Sequence, residues 1–281
     1  MCLKVGFIIS VAILFLTPPA DMQGPDLTRV GTKQWRLTWS DEFDYTGLPD
    51  LAKWGYDLGG HGWGNKELQY YTAQRRENAR VENGHLVIEA RREGWEKREY
   101  TSARLVSKGK GDWTYGRVEV RAKLPSGRGT WPAIWMLPSL KSYGNGGWPD
   151  NGEIDVMEHV GFDPDVVHGS VHTRAYYHSI GTQKTGKVEV SNARTGFNVY
   201  VIEWTPEEIR WFVNDRHYFT FRNERLTTPT ADYKRWPFDK PFHLILNVAV
   251  GGSWGGTKGV DESIWPQRMV VDYVRVYQAA K

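Results

Sequence analysis

From Trp35 onward the chain repeats one local pattern. Short stretches of alternating apolar and polar residues are closed by glycine- or asparagine-rich turns, and no sustained 3.6-residue period appears. The clearest stretch is 115–123, where Val118, Val120 and Ala122 fall on one face and Arg117, Glu119 and Arg121 on the other. The same period predicts strands at 35–39, 85–90, 131–137, 167–172, 198–204, 209–213, 217–221, 242–250 and 269–277. Turn signals separate them at 83–84, 125–127, 145–147, 214–215 and 251–252. One helical turn at 262–267 is the only helix expected after the N-terminal segment. No linker, low-complexity tract or repeat interrupts the 281 residues. Many short strands at this length mean an all-β chain, a β-sandwich in a single domain from about residue 30 to 281.

The first twenty or so residues stand apart. Lys4 is followed by an apolar run from Val5 to Leu16 and by Thr17-Pro-Pro-Ala20, the layout of an export signal. Twelve apolar residues are too few to span a bilayer as a helix. A signal peptide at 1–23, cleaved near 20–23, is therefore expected, with a secreted product that is extracellular, or periplasmic in a bacterium. The single cysteine, Cys2, precedes the apolar run, so the mature chain has none; a core of this size makes disulfides unnecessary. The formal net charge is only +3, and Glu93, Glu96 and Glu99 interrupt the densest basic stretch, around Arg91-Arg92 and Lys97-Arg98. That stretch reads as a solvated turn, and no nucleic-acid surface is expected.

Chemistry concentrates at 148–161, Trp-Pro-Asp-Asn-Gly-Glu-Ile-Asp-Val-Met-Glu-His-Val-Gly, with Glu153, Asp155 and Glu158 inside six positions. Pro149 and Gly152 oppose a helix while Ile154 and Val156 favour a strand. Alternation puts Glu153 and Asp155 on one face, but Glu158, five positions on, falls on the other. A β-bulge at Val156-Met157 supplies the missing step and turns Glu158 back beside them. Crowded carboxylates cannot all ionise at their ordinary pKa, which suits a glycosidase needing one ionised and one protonated carboxyl. The 14 tryptophans fit the same chemistry, since an indole packs against the C–H face of a sugar ring. Trp131 and Trp135 share a face, Trp148 precedes the acid strand, and Trp63 and Trp254 lie in glycine-rich loops; Trp39, Trp204 and Trp211 lie inside alternating strands and read as core. His168 and His172 are four residues apart on one strand, about 13 Å at about 3.3 Å per residue, too far to chelate one zinc ion.

The acid motif resembles the Glu-x-Asp-x-x-Glu signature of glycoside hydrolase family 16, in its laminarinase-like form with one extra residue. The resemblance extends over Trp-Ser-Asp-Glu-Phe (39–43), Gly-Trp-Gly-Asn-Lys-Glu-Leu-Gln-Tyr-Tyr-Thr (62–72), Thr-Ser-Ala-Arg-Leu (101–105), 115–125, 129–138 and Gly-Gly-Ser-Trp-Gly-Gly (251–256). It implies a jelly roll with a concave substrate groove and a secreted endo-β-1,3-glucanase of retaining mechanism. Glu153 would be the nucleophile, Glu158 the acid/base and Asp155 the assistant, with the carboxyls of the pair about 5–6 Å apart. It also implies sugar contacts for Asn65, Glu67, Arg104, Trp131, Trp135, Trp148 and Trp254, with His172 near the acid/base; a structural ion pair is the alternative for Arg104. No cofactor is needed for catalysis. A structural calcium on Asp272, Glu42 and the Gly84 carbonyl is the one metal the resemblance suggests, against a merely hydrogen-bonded Asp272, which is expected to share a strand face with Val270, Val274 and Val276. The partner is β-glucan polysaccharide, with no membrane contact after signal cleavage, and the chain is expected to be monomeric. Two other readings stay open: a non-catalytic β-glucan recognition protein, disfavoured by the intact acids, and a family member acting on mixed-linkage glucan or a galactan.

Overall fold

A computed structural model describes Met1, residues 27–30 and residues 33–280; the expected signal peptide at 1–23 lies outside the described residues apart from Met1. Eighteen strands occur among the described residues. The first six are β1 (Leu27–Val30), β2 (Lys33–Asp41), β3 (Gly55–Tyr56), β4 (Gln69–Thr72), β5 (Ala79–Glu82) and β6 (His85–Trp95). Then follow β7 (Arg98–Val106), β8 (Asp112–Trp113), β9 (Gly116–Lys123), β10 (Thr130–Pro138), β11 (Glu153–Glu158) and β12 (Val166–His172). The last six are β13 (Lys184–Glu189), β14 (Asn198–Trp204), β15 (Glu208–Val213), β16 (Arg216–Arg222), β17 (Phe242–Val250) and β18 (Gln267–Ala279). The strands expected from alternation are all present, within a few residues at each end.

They form two packed sheets. In the first, β16, β15, β14, β9 and β18 lie side by side, and β6 and β2 pair with successive halves of β18. In the second, β13, β12, β11, β10 and β17 continue into β7 and β8. The β6–β7 hairpin ties the sheets together, because β6 pairs with β18 through Leu86–Ala90 and then with β7. Between the sheets lies one apolar core, with Val118, Val120, Ile202 and Trp211 from the first meeting Ile134, Met136, Leu244 and Leu246 from the second. Each such side chain contributes about 1.5–3 kcal/mol by leaving water. With one face of the second sheet committed to the core, alternation sends Trp131, Trp135, Asp155, His168, His172 and Asn247 to the other face. That outward face carries the site.

Four expectations are corrected. Residues 262–267 form no helix: Asp261 accepts from the Ser263 backbone N–H and Gln267 closes on the Ile264 carbonyl, so side chains satisfy this turn, and Gln267 already belongs to β18. The stretch at 91–99 is strand rather than turn except at Glu96-Lys97, because cross-strand partners order it. Trp39 is only half-buried, packed edge-on against Trp54 and Trp113. On β18 a register shift between Val271 and Tyr273 changes the phase of the strand, so Val271, Val274 and Val276 are buried while Asp272 points outward with Val270.

Candidate active site

On β11 the expected bulge is present. Asp155 lies opposite Ser170 and Glu158 opposite His168, so three steps on β11 match two on β12; on the other side Asp155 faces Trp135 while Met157 faces Ile134. Val156 is the extra residue. Both Val156 and Met157 sink into the core, at 1% and 0% exposure, and Glu158 returns to the outward face. The Trp211 indole fixes the strand from beneath by donating to the Asp155 backbone carbonyl at 2.7 Å.

Each glutamate receives one indole N–H. Trp148 Nε1 donates to Glu153 Oε2 at 3.0 Å, and Trp131 Nε1 donates to Glu158 Oε1 at 3.1 Å. His172 Nε2 stands 3.3 Å from Asp155 Oδ2 and 3.7 Å from Glu153 Oε1. His172 thus lies directly against Glu153 and Asp155 and within electrostatic reach of Glu158, whereas His168 is the cross-strand neighbour of Glu158. Glu153, Asp155 and His172 are also the one trio of His, Cys, Asp or Glu among the described residues with ligating atoms within 4.8 Å of one another.

Burial pushes all three carboxyls up to about 8, and mutual repulsion adds to this at Glu153 and Glu158. Three such groups titrate as a coupled set, so at neutral pH the site does not hold three negative charges. Glu153 and Glu158 each have two groups favouring the charged form, His172 and one indole N–H, from Trp148 and Trp131 respectively. Asp155 is raised by burial. With all three near 8, the coupled set keeps at least one proton at neutral pH that a carboxyl can donate. His168, pushed down to about 4 by burial, is neutral.

The remaining predicted residues divide between the outward face and its support. Trp135 donates its N–H to Asn247 Oδ1 at 2.7 Å, Asn247 Nδ2 donates to the Tyr71 hydroxyl at 2.9 Å, and Tyr71 donates to Glu67 Oε2 at 3.1 Å. Gln69 Nε2 also donates to Glu67, at 2.6 Å. Glu67 is thus buried, 6% exposed, and anchors this relay. Asn65 is held through its backbone, receiving the Ser253 N–H at 2.6 Å. The Arg104 guanidinium lies between the Trp63 and Trp135 rings, 4.6 Å from each, and pairs with Asp57 at 2.9 Å, the structural ion pair named as its alternative. Trp254 stands edge-on between Trp131 and His168. Its loop needs glycine at 255, where a Cβ would meet the Gly251 carbonyl at 2.6 Å and Trp131 Cβ at 2.8 Å. Sequence reasoning missed Tyr71, Asn247 and Asp57. For Asn247 a signal existed, a lone amide in the run Leu-Ile-Leu-Asn-Val-Ala-Val.

The calcium set does not fit this structure. Asp272 is bonded to Arg121 and stands 3.6 Å from His85 Nε2, while Glu42 makes a forked pair with Arg275 at 2.8 and 3.0 Å. Both carboxylates are committed to arginine, and no chemistry is assigned to a metal there.

Comparison with known proteins converges on one group. The family model described as glycosyl hydrolases family 16 matches residues 66–275. A β-glucanase from Rhodothermus marinus is 64% identical over 278 residues, covering 99% of this chain and 95% of its own. A glucan endo-1,3-β-glucosidase from Cryptopygus antarcticus is 40% identical over 236 residues, 82% of this chain and 85% of that one. Among solved structures, the laminarinase from Rhodothermus marinus superposes with a TM-score of 0.88 at 68% identity, covering 89% of this chain and all of the other. The jelly-roll sandwich follows from the same match.

Proposed function

The chain belongs to family 16 of the glycosyl hydrolases, and from that premise we propose that it is a secreted, retaining endo-β-1,3-glucanase acting on β-glucan polysaccharide. The linkage reading draws on the names of the relatives, and export on the apolar run at residues 5–16. One observation carries the mechanistic reading: the bulge at Val156 turns Glu158 onto the face of Glu153, and each of the two receives its own indole N–H.

In this reading Glu153, as the carboxylate, attacks the anomeric carbon as the bond to the leaving glucan oxygen breaks. Glu158 gives its proton to that oxygen. The glycosyl ester on Glu153 is then displaced by water, whose proton returns to Glu158. Asp155 keeps its own proton and so adds no second charge beside the nucleophile, while the His172 ring stands against both carboxyls. Trp135 and Trp131, their N–H groups already engaged, offer ring faces to the sugar.

Digesting laminarin, lichenan, agarose and xyloglucan in parallel, with NMR of the reducing ends formed in the first minutes, tests linkage and mechanism together. The expected result is rapid hydrolysis of laminarin with the β-anomer appearing first. Appearance of the α-anomer first would require an inverting enzyme, with carboxyls about 6.5–9.5 Å apart, and would overturn the assignment of Glu153 as nucleophile.

A further inference from the structure

Nearly every tryptophan in this protein is at least partly covered. Of the 14, only Trp148 at 45% and Trp95 at 40% are exposed. Trp148 has its place in the cleft; Trp95 has none. It ends β6 and pairs with Arg98 across a turn in which Glu96 and Lys97 take φ values of 46° and 64°, with a register break between Arg92 and Trp95. The Arg75 guanidinium lies 4.9 Å from the ring centroid. Arg75 is itself immobilised, donating to Glu93 at 2.6 and 3.1 Å and to Asn78 at 2.7 Å. The indole is therefore held in place before any ligand arrives.

The chain neighbours of Trp95, namely Arg92, Glu93 and Gly94, line with Glu99 a shallow depression in which Arg92 is paired with Glu262 at 2.6 Å. Nothing stands within 4 Å of where a Cβ on Gly94 would be, so the floor is open. A fixed aromatic face flanked by a guanidinium and carboxylates matches a sugar ring, whose C–H face packs on indole while its hydroxyls meet donors and acceptors. Glu93, Glu96 and Glu99 interleave with Arg91, Arg92, Lys97 and Arg98, so the charge here is mixed and forms no concentrated phosphate site. A single ring falls short of the apolar patch that a protein interface uses.

We propose that Trp95, with Arg92, Glu93 and Glu99, forms a second β-glucan-binding platform outside the catalytic cleft. The ligand class rests on the proposed function above. Along β7, Arg104 lies six positions on from Arg98, about 20 Å at about 3.3 Å per residue. The loop at Gly60, which leads to Trp63, packs on the Arg98 side chain, so the surface between platform and cleft is continuous. A polymer can engage both places where a short oligosaccharide cannot. Its gain is effective concentration rather than a new step in hydrolysis.

The test is co-sedimentation with insoluble β-1,3-glucan, using Glu153→Gln so that the polymer persists, with and without Trp95→Ala. The exposed position makes misfolding of Trp95→Ala unexpected, and circular dichroism verifies the fold. Retention should weaken about tenfold on losing Trp95. In the otherwise native enzyme, Trp95→Ala should slow hydrolysis of insoluble glucan severalfold while hydrolysis of soluble laminari-oligosaccharides stays within about twofold. Unchanged retention overturns the platform, as does an equal loss on soluble and insoluble substrates. Trp95-dependent retention on another polymer, with none on β-1,3-glucan, overturns the glucan assignment. A native enzyme inactive on every β-1,3-glucan would defeat the functional reading instead, a result separate from the sedimentation arms.

Discussion

Glu153 and Glu158 have the same side chain and the same raised pKa, and their neighbours differentiate them. Trp148 does two things at once: its exposed ring borders the cleft and its N–H holds Glu153. Trp148→Phe separates these, keeping a ring but removing a hydrogen bond to a charged group worth about 1.5–3 kcal/mol. The expected result is a kcat on laminarin lower by about 10–100-fold, KM within about threefold, and less than about 1 kcal/mol lost in stability. Losing the donor also disfavours the Glu153 carboxylate, so the acidic limb of the kcat/KM profile should move to higher pH. An unchanged kcat with a raised KM would make Trp148 a sugar platform alone. A stability loss of about 3–5 kcal/mol would mark it as a packing residue.

At the scale of elements, β11 shows how one extra residue is accommodated. Deleting Val156 leaves Glu-Ile-Asp-Met-Glu, a regular period-two strand in which all three acids still share a face with no bulge. The variant should fold and keep hydrolysing laminarin, with about 2–3 kcal/mol lost for the missing buried valine. Calorimetry and an initial-rate assay check both parts. A folded but inactive protein would mean that the bulge also aims Glu158, beyond setting its face. The neighbouring strands repeat the theme of polar residues held by relay. The chain from Trp135 through Asn247 and Tyr71 to Glu67 draws on β10, β17, β4 and the loop before it, so the pose of a single cleft tryptophan depends on residues from three distant parts of the sequence.

For the whole molecule, the cost of the site is a pH-dependent stability. Glu153, Asp155 and Glu158 have folded pKa values raised from about 4–4.5 to about 8. Their contribution is fully present below the unfolded values and is lost as pH rises through 8. His168 and His243 work the other way: burial lowers both to about 4, so what they contribute is present above the unfolded value near 6.5 and lost as pH falls through 4. Above pH 6.5 only the carboxyls still change the balance. The melting temperature should therefore fall by at least a few °C between pH 6.5 and 9. Asp155→Asn, which removes one titrating group at nearly constant shape, should flatten that fall. A melting temperature that rises across this interval would contradict the reading that the three acids are buried and protonated.

By itself the sequence determined which side chains share a face. Alternation along β9, β10, β14 and β17, the parity of Glu153 and Asp155, and the odd step to Glu158 that demanded a bulge are all local properties, because the side-chain period of a strand is two whatever the strand packs against. Where alternation is absent the reading failed. β7 is buried on both faces from Tyr100 to Val106, and β13 is mostly polar, so neither announces itself. Only the tertiary structure decided depth and partnership. Glu67 is an anchor because Tyr71 and Gln69 surround it. Arg104 is a clamp because Trp63 and Trp135 close on it, and Asp272 faces outward because an unforeseen bulge shifts β18. Those outcomes depend on which distant strands come together, and hydrogen bonds such as that between Tyr71 and Asn247, 176 positions apart, fix them.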